Sequence, residues 1–222
     1  AVKAVAAAIP AITKACDAIE SGMRKGGRLI YIGAGSSGRL GILDAVECPP
    51  TYGVSQDTVQ GIIAGGYDCM FCASENAEDG ADAGVRDLKE RSPKKEDTIV
   101  GISAAGNAAY VAAALAYARS IGCTTIGVTN NAGSRLDLEP DISVVVDTGQ
   151  EVVTGSTRMK AGTAHKMVLN MLSTAVMIKY GRVYQNYMIY IKPVNVKLRD
   201  RMIRIVRDIA EVTYEEAEKR LE

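Results

Sequence analysis

Apolar side chains recur along this chain in two rhythms, and their alternation outlines an architecture. Val2, Val5, Ile9, Ile12, Cys16, Ile19 and Met23 fall three or four residues apart, the spacing of one helix face. Gly26-Gly27 closes that helix, and Leu29-Ile-Tyr-Ile32 then reads as a continuous β-prone run, as expected of a strand buried on both faces. A helix is predicted over about 37–46 and is stopped by Pro49-Pro50, which lack the N–H that would continue it. Further strands are predicted at 59–64, 98–103, 124–129 and 142–146, with helical stretches at 67–74, 79–91 and 110–121. After the loop 149–155 come a long helix at about 157–180, another at 196–212, and a last one opened by the capping-box pattern Thr213-Tyr-Glu-Glu216.

Strands alternating with helices predict an α/β three-layer sandwich, with a central five-stranded parallel sheet, helices on both faces and additional helices at the C-terminal end. Residues 1–195 are assigned to the sheet domain with its N-terminal helix, and 196–222 to a helical extension. Ligands of such sheets bind beyond the carboxyl ends of the strands, near the point where strand order reverses. The loops that follow Ile32 and Ser103 both sit at such ends.

Composition narrows the function classes. The 222 residues carry 26 Lys and Arg against 26 Asp and Glu, so no charge excess argues for nucleic acid or a membrane surface. No run of about 18 apolar residues is free of charge, which argues against a transmembrane helix, and no signal-peptide pattern opens the chain. With Trp absent and Phe present once, the core must rest on aliphatic residues. The five cysteines are an odd, scattered set that reads as reduced thiols in the cytoplasm. Cys69-Met-Phe-Cys72 matches C-x-x-C but lacks a second pair, so packing in a helix is the simpler reading. The start without Met and the stop inside a charged helix read as a fragment or trimmed copy.

The densest chemistry lies in Arg28-Leu-Ile-Tyr-Ile-Gly-Ala-Gly-Ser-Ser-Gly-Arg39. Gly33, Gly35 and Gly38 permit a sharp turn and bring backbone N–H groups close to a ligand. Ser36 and Ser37 add hydroxyls, and the following helix points its positive end at the same spot. Although Gly33-Ala-Gly-Ser-Ser-Gly38 has dinucleotide-loop spacing, that pattern needs an acidic residue closing a second strand, and Thr51–Asp57 reads as a loop instead. The serine pair suits a sugar phosphate better.

Over residues 27–200 the chain resembles the N-acetylmuramic acid 6-phosphate etherase family of the sugar isomerase (SIS) fold. The resemblance is carried by 26–53, which runs from Gly26-Gly-Arg-Leu-Ile-Tyr through Leu43-Asp-Ala-Val-Glu-Cys-Pro-Pro50 to Gly53. It continues in Gly61-Ile-Ile-Ala-Gly-Gly66, Ala77-Glu-Asp79, Glu151-Val-Val-Thr-Gly-Ser-Thr-Arg-Met-Lys-Ala-Gly-Thr-Ala164 and Val168-Leu-Asn-Met-Leu-Ser-Thr174. It implies a cytoplasmic lyase that uses no metal or organic cofactor and forms homodimers with active sites at the subunit interface. The implied reaction converts N-acetylmuramic acid 6-phosphate to N-acetylglucosamine 6-phosphate and D-lactate.

Such chemistry explains the residue types. Opening the sugar gives a C1 aldehyde that acidifies the C2 proton; a carboxylate removes it, lactate leaves from C3, and water adds back. By resemblance, Glu47 is the principal acid/base and Glu78 a second one. A carboxylate set in a pocket floored by Cys48, Pro49 and Pro50 is expected to be desolvated in a way that suits proton transfer. Gly35, Ser36, Ser37 and Arg39 are expected at the substrate, although Arg39 is also suited to pairing with Asp44. Arg158 and Lys160, at the head of the long helix, are candidates for the phosphate or the lactyl carboxylate.

One stretch departs from the family. Its usual Ala-Ala-Ser-Gly-Arg-Thr-Pro-Tyr is here Ser103-Ala-Ala-Gly-Asn-Ala-Ala-Tyr110, which removes two hydroxyls and a cation. Ser103, Ala104, Gly106 and Asn107 are then expected to hold phosphate through the Ser103 hydroxyl, backbone donors and a helix N-terminus. His165, the only histidine, reads as structural, and an isolated histidine argues against zinc. A non-catalytic sugar-phosphate sensor resembling the glucokinase regulatory protein is the alternative favoured by the altered loop, and a sugar-phosphate isomerase is the other; Glu47 with its Cys-Pro-Pro context favours the etherase.

Overall fold

The computed structural model describes every residue except Glu75, Val194 and Glu222. Its strands are β1 (Leu29–Gly33), β2 (Val59–Ile63), β3 (Thr98–Ile102), β4 (Thr124–Thr129) and β5 (Ile142–Val145). Its helices are α1 (Val2–Arg24), α2 (Gly35–Tyr52), α3 (Ala81–Lys89), α4 (Ala109–Ser120), α5 (Arg135–Leu138), α6 (Lys160–Lys179), α7 (Val196–Ala210) and α8 (Tyr214–Lys219). The strands form one sheet in the order β2-β1-β3-β4-β5, and every neighbouring pair is parallel.

Successive strand side chains point to opposite faces, and this splits the core in two. Leu29 and Tyr31 of β1 join Val100, Ile102, Ile126 and Val128 under α1, α2 and α6. Ile30 and Ile32 join Ile99 under α3, α4 and α5, where Leu88, Tyr110, Leu115 and Leu136 close the second layer. The expected three-layer sandwich is therefore present. None of the described helices is long and apolar enough to cross a membrane. At the N-terminal edge of the sheet, buried Asp97 binds Arg28 through its guanidinium (2.6 Å) and its backbone N–H (2.8 Å), tying the entry to β1 to the entry to β3.

Three predicted helices need correction. The stretch 67–74 forms only a short 3₁₀ turn, Tyr67–Met70, and 79–91 is shortened to α3 because Gly80 leaves helical geometry after a second such turn at Ala77–Asp79. The larger change is in α2, which runs through Pro49 and Pro50 to Tyr52. Both prolines sit in its final turns, where only the carbonyls of Ala45 and Val46 lose a donor. Packing outweighs that loss. Tyr52 is buried and its hydroxyl reaches Thr174 Oγ1 at 3.2 Å, while Gly53, in the left-handed region at φ +63°, donates to the Pro49 carbonyl at 2.9 Å. Glu47 consequently lies inside a helix and not at its end.

Polar contacts fix α2 against α6. Asp44, 2% exposed, accepts from Tyr31 Oη (3.0 Å), Asn170 Nδ2 (2.8 Å) and Ser173 Oγ (3.2 Å). Burial raises its pKa above the ordinary carboxylate value, with the three hydrogen bonds opposing. Nearer the start of α2, Ser37 Oγ lies 3.3 Å from His165 Nδ1, while His165 Nε2 has no hydrogen-bond partner among the described residues. The histidine is structural, as its surroundings in the sequence suggest.

Burial pushes the His165 pKa down from 6.5 to about 4. Between those values the unfolded chain takes up a proton that the folded chain refuses, so stability must fall as pH falls through this window. The full effect is roughly 3 kcal/mol, at 1.36 kcal/mol for each tenfold change in proton affinity. In urea unfolding, His165→Gln is expected to lose about 2 kcal/mol less than the unaltered chain between pH 7 and pH 4.5. Parallel pH slopes for the two proteins would show that His165 does not resist protonation.

Candidate active site

The sheet order reverses direction of growth between β1 and β3, so the crevice beyond their carboxyl ends is the expected ligand position. Gly33 and Ile102 are register partners, which places the loops that follow them side by side. The first loop turns at Gly35 (φ +52°), and α2 then passes so close to the strand that a Cβ on Gly38 would lie 2.7 Å from the Gly33 carbonyl oxygen. Only glycine fits there. The first backbone N–H groups of α2 have no acceptor within the helix and face the crevice end, with partial positive charge.

Beside this helix start, α2 and the head of α6 enclose a cavity of about 590 Å³. Ser36 and Arg39 line it from α2, Arg158 from the loop before α6, and Thr163 and Lys166 from α6, with Leu40, Leu43, Met70 and Met167 as its apolar walls. Three of the sequence-predicted residues, Ser36, Arg39 and Arg158, thus meet in one place. Arg39 is anchored there: its Nε and Nη2 donate to the carbonyls of Met70 (3.1 Å) and Cys72 (3.0 Å), and it does not pair with Asp44.

Other expected contacts are placed differently. Ser37 is buried and turned to His165, because adjacent residues on a helix cannot both face one groove. Gly35 is exposed at the mouth of the turn. The side chain of Lys160 is absent from the cavity wall and lies toward the Gly149 loop. The helix start at Lys160 is capped by Glu151, whose carboxylate accepts from the N–H groups of Lys160 (3.0 Å) and Ala161 (2.9 Å). The bonds from Ala161 and Lys160 hold its pKa below the ordinary value. No local pattern announces this cap, since Glu151 stands nine residues ahead of the helix.

The Ser103–Asn107 loop is closed on itself and does not line the cavity. Ser103 Oγ accepts from the Gly106 N–H (3.1 Å), the Ala104 carbonyl accepts from Asn130 N and Asn131 Nδ2, and Asn107 Oδ1 accepts from the Arg135 N–H (3.1 Å). The backbone donor expected of Gly106 is therefore spent internally. Ala105 is exposed at the tip, and Ala108 stands at the start of α4 without a side-chain cap.

Both candidate glutamates are exposed. Glu47 lies one helical turn beyond Leu43 on the Ser36–Leu40–Leu43 face, next to exposed Leu43 and Val46, and no pocket of Cys48, Pro49 and Pro50 encloses it; Cys48 instead points inward, its thiol 3.3 Å from the Asp44 carbonyl. Glu78 sits in the turn Ala77–Asp79, whose neighbours Asn76 and Ala77 line a separate cavity of about 880 Å³ along β2. All five cysteines are free, and burial pushes Cys48 up to about 12 and Cys123 to about 11, so these are protonated packing groups.

Comparison with known proteins fits this geometry. Residues 11–119 match the glucokinase regulatory protein N-terminal SIS domain, and residues 82–175 match the SIS domain. Among solved structures, a ligand-bound protein of E. coli CFT073 superposes with a TM-score of 0.62 at 20% identity, covering 85% of this chain and 90% of that one. A phosphoheptose isomerase from Francisella tularensis superposes with a TM-score of 0.57 at 16% identity, covering 80% and 92%. These show the shared fold. N-acetylmuramic acid 6-phosphate etherases are far more similar: that of Aeromonas hydrophila is 52% identical over 98% of this chain and 73% of its own length, and that of Bacillus subtilis 48% identical over 99% and 72%. With half its residues shared along nearly its whole length, the chain belongs to the N-acetylmuramic acid 6-phosphate etherase family.

Proposed function

We propose that the α2–α6 cavity is where this chain, a carbon–oxygen lyase, cleaves the D-lactyl ether of N-acetylmuramic acid 6-phosphate to give N-acetylglucosamine 6-phosphate and D-lactate. The observation that carries the activity is the near-complete match to etherases at about half identity. What supports the site is that the family-matched residues Ser36, Arg39, Arg158 and Glu47 lie on or beside one face of α2 at the switch point. A non-catalytic sensor is not favoured, because the relatives matched at about half identity along nearly the whole chain are etherases.

In this reading the phosphate sits on the N–H groups at the start of α2 with Ser36. The Glu47 carboxylate takes the C2 proton of the opened sugar; the C–H electrons form the C2–C3 double bond as the C3–O bond breaks, and the Glu47 carboxyl passes that proton to the lactate oxygen as it leaves. Water then adds its hydroxyl to C3 and a proton returns to C2, with Glu78 assisting the addition.

The reading also includes a homodimer with interface active sites. Ser36 and Glu47 are eleven residues apart on one helix, about 16 Å along its axis, which is long for a single phosphosugar to bridge. Val46 is 57% exposed and Leu43 41%, an apolar surface around the base. A second copy laid on this face would cover both leucine and valine, exclude water from Glu47, and bring one protomer's base toward its partner's phosphate site.

Glu47→Gln is expected to lower D-lactate release at least 10³-fold, in the upper range for loss of a general base, while folding and binding of N-acetylglucosamine 6-phosphate persist. Turnover within tenfold of normal would remove Glu47 from the mechanism. The altered loop makes a separate prediction. Ala105→Ser with Ala108→Thr is expected to change phosphosugar affinity less than about threefold, because the loop lies outside the cavity wall and a new hydrogen bond to a charged group, worth about 1.5–3 kcal/mol, would need the phosphate beside it. Tightening of tenfold or more by calorimetry would move the phosphate from the α2 end to this loop.

A further inference from the structure

The substrate of the proposed reaction carries two anions, the C6 phosphate and the lactyl carboxylate on C3, and the cavity wall supplies cations of unequal availability. Arg39 is committed to two backbone carbonyls. Arg158 is exposed at the rim. Lys166 is half-buried in the wall and makes no hydrogen bond or ion pair among the described residues. Its position along the site follows from its neighbours on α6. His165 stands opposite Ser37 and Asn170 opposite Asp44, so Lys166 lies between the helix start and Glu47. Its place in the cavity wall with Ser36, Arg39 and Leu40 sets the side chain at the α2–α6 seam.

We propose that Lys166 binds the lactyl carboxylate and thereby distinguishes the muramic acid phosphosugar from phosphosugars that lack a lactyl group. This assignment rests on the etherase reading of the same site. The phosphate is accounted for by the N–H groups at the start of α2 and Ser36. The lactyl carboxylate, carried by the ether oxygen on C3, three carbons along the sugar from the one that bears the phosphate, then falls level with the unpaired ammonium one turn along α2 from the helix start. There Lys166 also stabilises charge on the departing lactate as the C3–O bond breaks. Lys160, whose side chain lies toward the Gly149 loop, is not placed to do this.

The test uses the Glu47→Gln chain, so that bound substrate persists, and compares two ligands by calorimetry: N-acetylmuramic acid 6-phosphate and N-acetylglucosamine 6-phosphate. Adding Lys166→Met is expected to weaken the first about 10- to 100-fold, the usual worth of a charged hydrogen bond, and to change the second less than threefold. Retained binding of the second ligand reports that the variant is folded. Lys166→Arg is expected to stay within about fivefold of the parent for both, because it keeps the charge. Equal weakening of both ligands by Lys166→Met would assign the lysine to the phosphate or to folding and overturn the proposal, as would no weakening of either. Failure of the etherase reading is seen separately, as absence of D-lactate release by the unaltered chain.

Discussion

The arrangement of the site depends on one buried carboxylate. Asp44 sits where β1, α2 and α6 meet and accepts a hydrogen bond from Tyr31 and two from α6. Each of these donors is costly to bury unpaired, so the three together fix the rotation and height of α2 against α6 far more sharply than apolar packing alone. That rotation decides which side chains of α2 face the cavity. With Asp44 turned inward, Leu40, Leu43 and Glu47 fall on the open side and Cys48 on the closed one. The same helix bears the close approach of Gly38 to Gly33, so both its start and its middle are held against their neighbours.

The two loops at the switch point divide the work unevenly. The loop after β1 ends in a helix whose first donors are open, with Ser36 and the cavity beside it. The loop after β3 is its neighbour in space but uses Ser103, Gly106 and Asn107 to hold its own shape and to start α5. A loop built this way has little left for a ligand beyond the uncapped start of α4. The substitutions seen in the sequence, alanines for hydroxyls and Asn107 for a cation, are thus matched by a loop that is internally satisfied, and the phosphate role in the proposed mechanism moves to α2.

Strand-level features were legible in the sequence because they are local. Continuous β-prone runs such as Leu29–Ile32 and Thr124–Thr129 admit few alternatives in a chain that alternates strands with helices, and the glycine loop announces its own turn. The departures from expectation are tertiary in origin. Pro49-Pro50 stops a helix considered alone, yet Tyr52 and Thr174 hold the extra turn in place. Ser36 and Ser37 look equivalent in sequence, and only the facing of α2 toward α6 separates a cavity hydroxyl from a buried one bound to His165. Lys160 and Lys166 differ in the same way. Both stand in the family-matched helix, but the Glu151 cap fixes the helix start, and Lys160 leans to the Gly149 loop while Lys166, almost two turns later, faces α2.

The exposure of Glu47 is the feature with the widest consequence. A base that removes a proton from carbon gains from a site that excludes water, because the fixed dipoles around it then act at full strength. In the single chain Glu47 has water on one side and leucine and valine on the other. The residues beside it are those that a covering surface would bury at little cost, since their polar neighbours, Asp44 and Cys48, are already satisfied inside. The face of α2 that carries the proposed base and the face that gains most from a second copy are therefore one surface, and in the proposed mechanism assembly and activity are expected to rise and fall together.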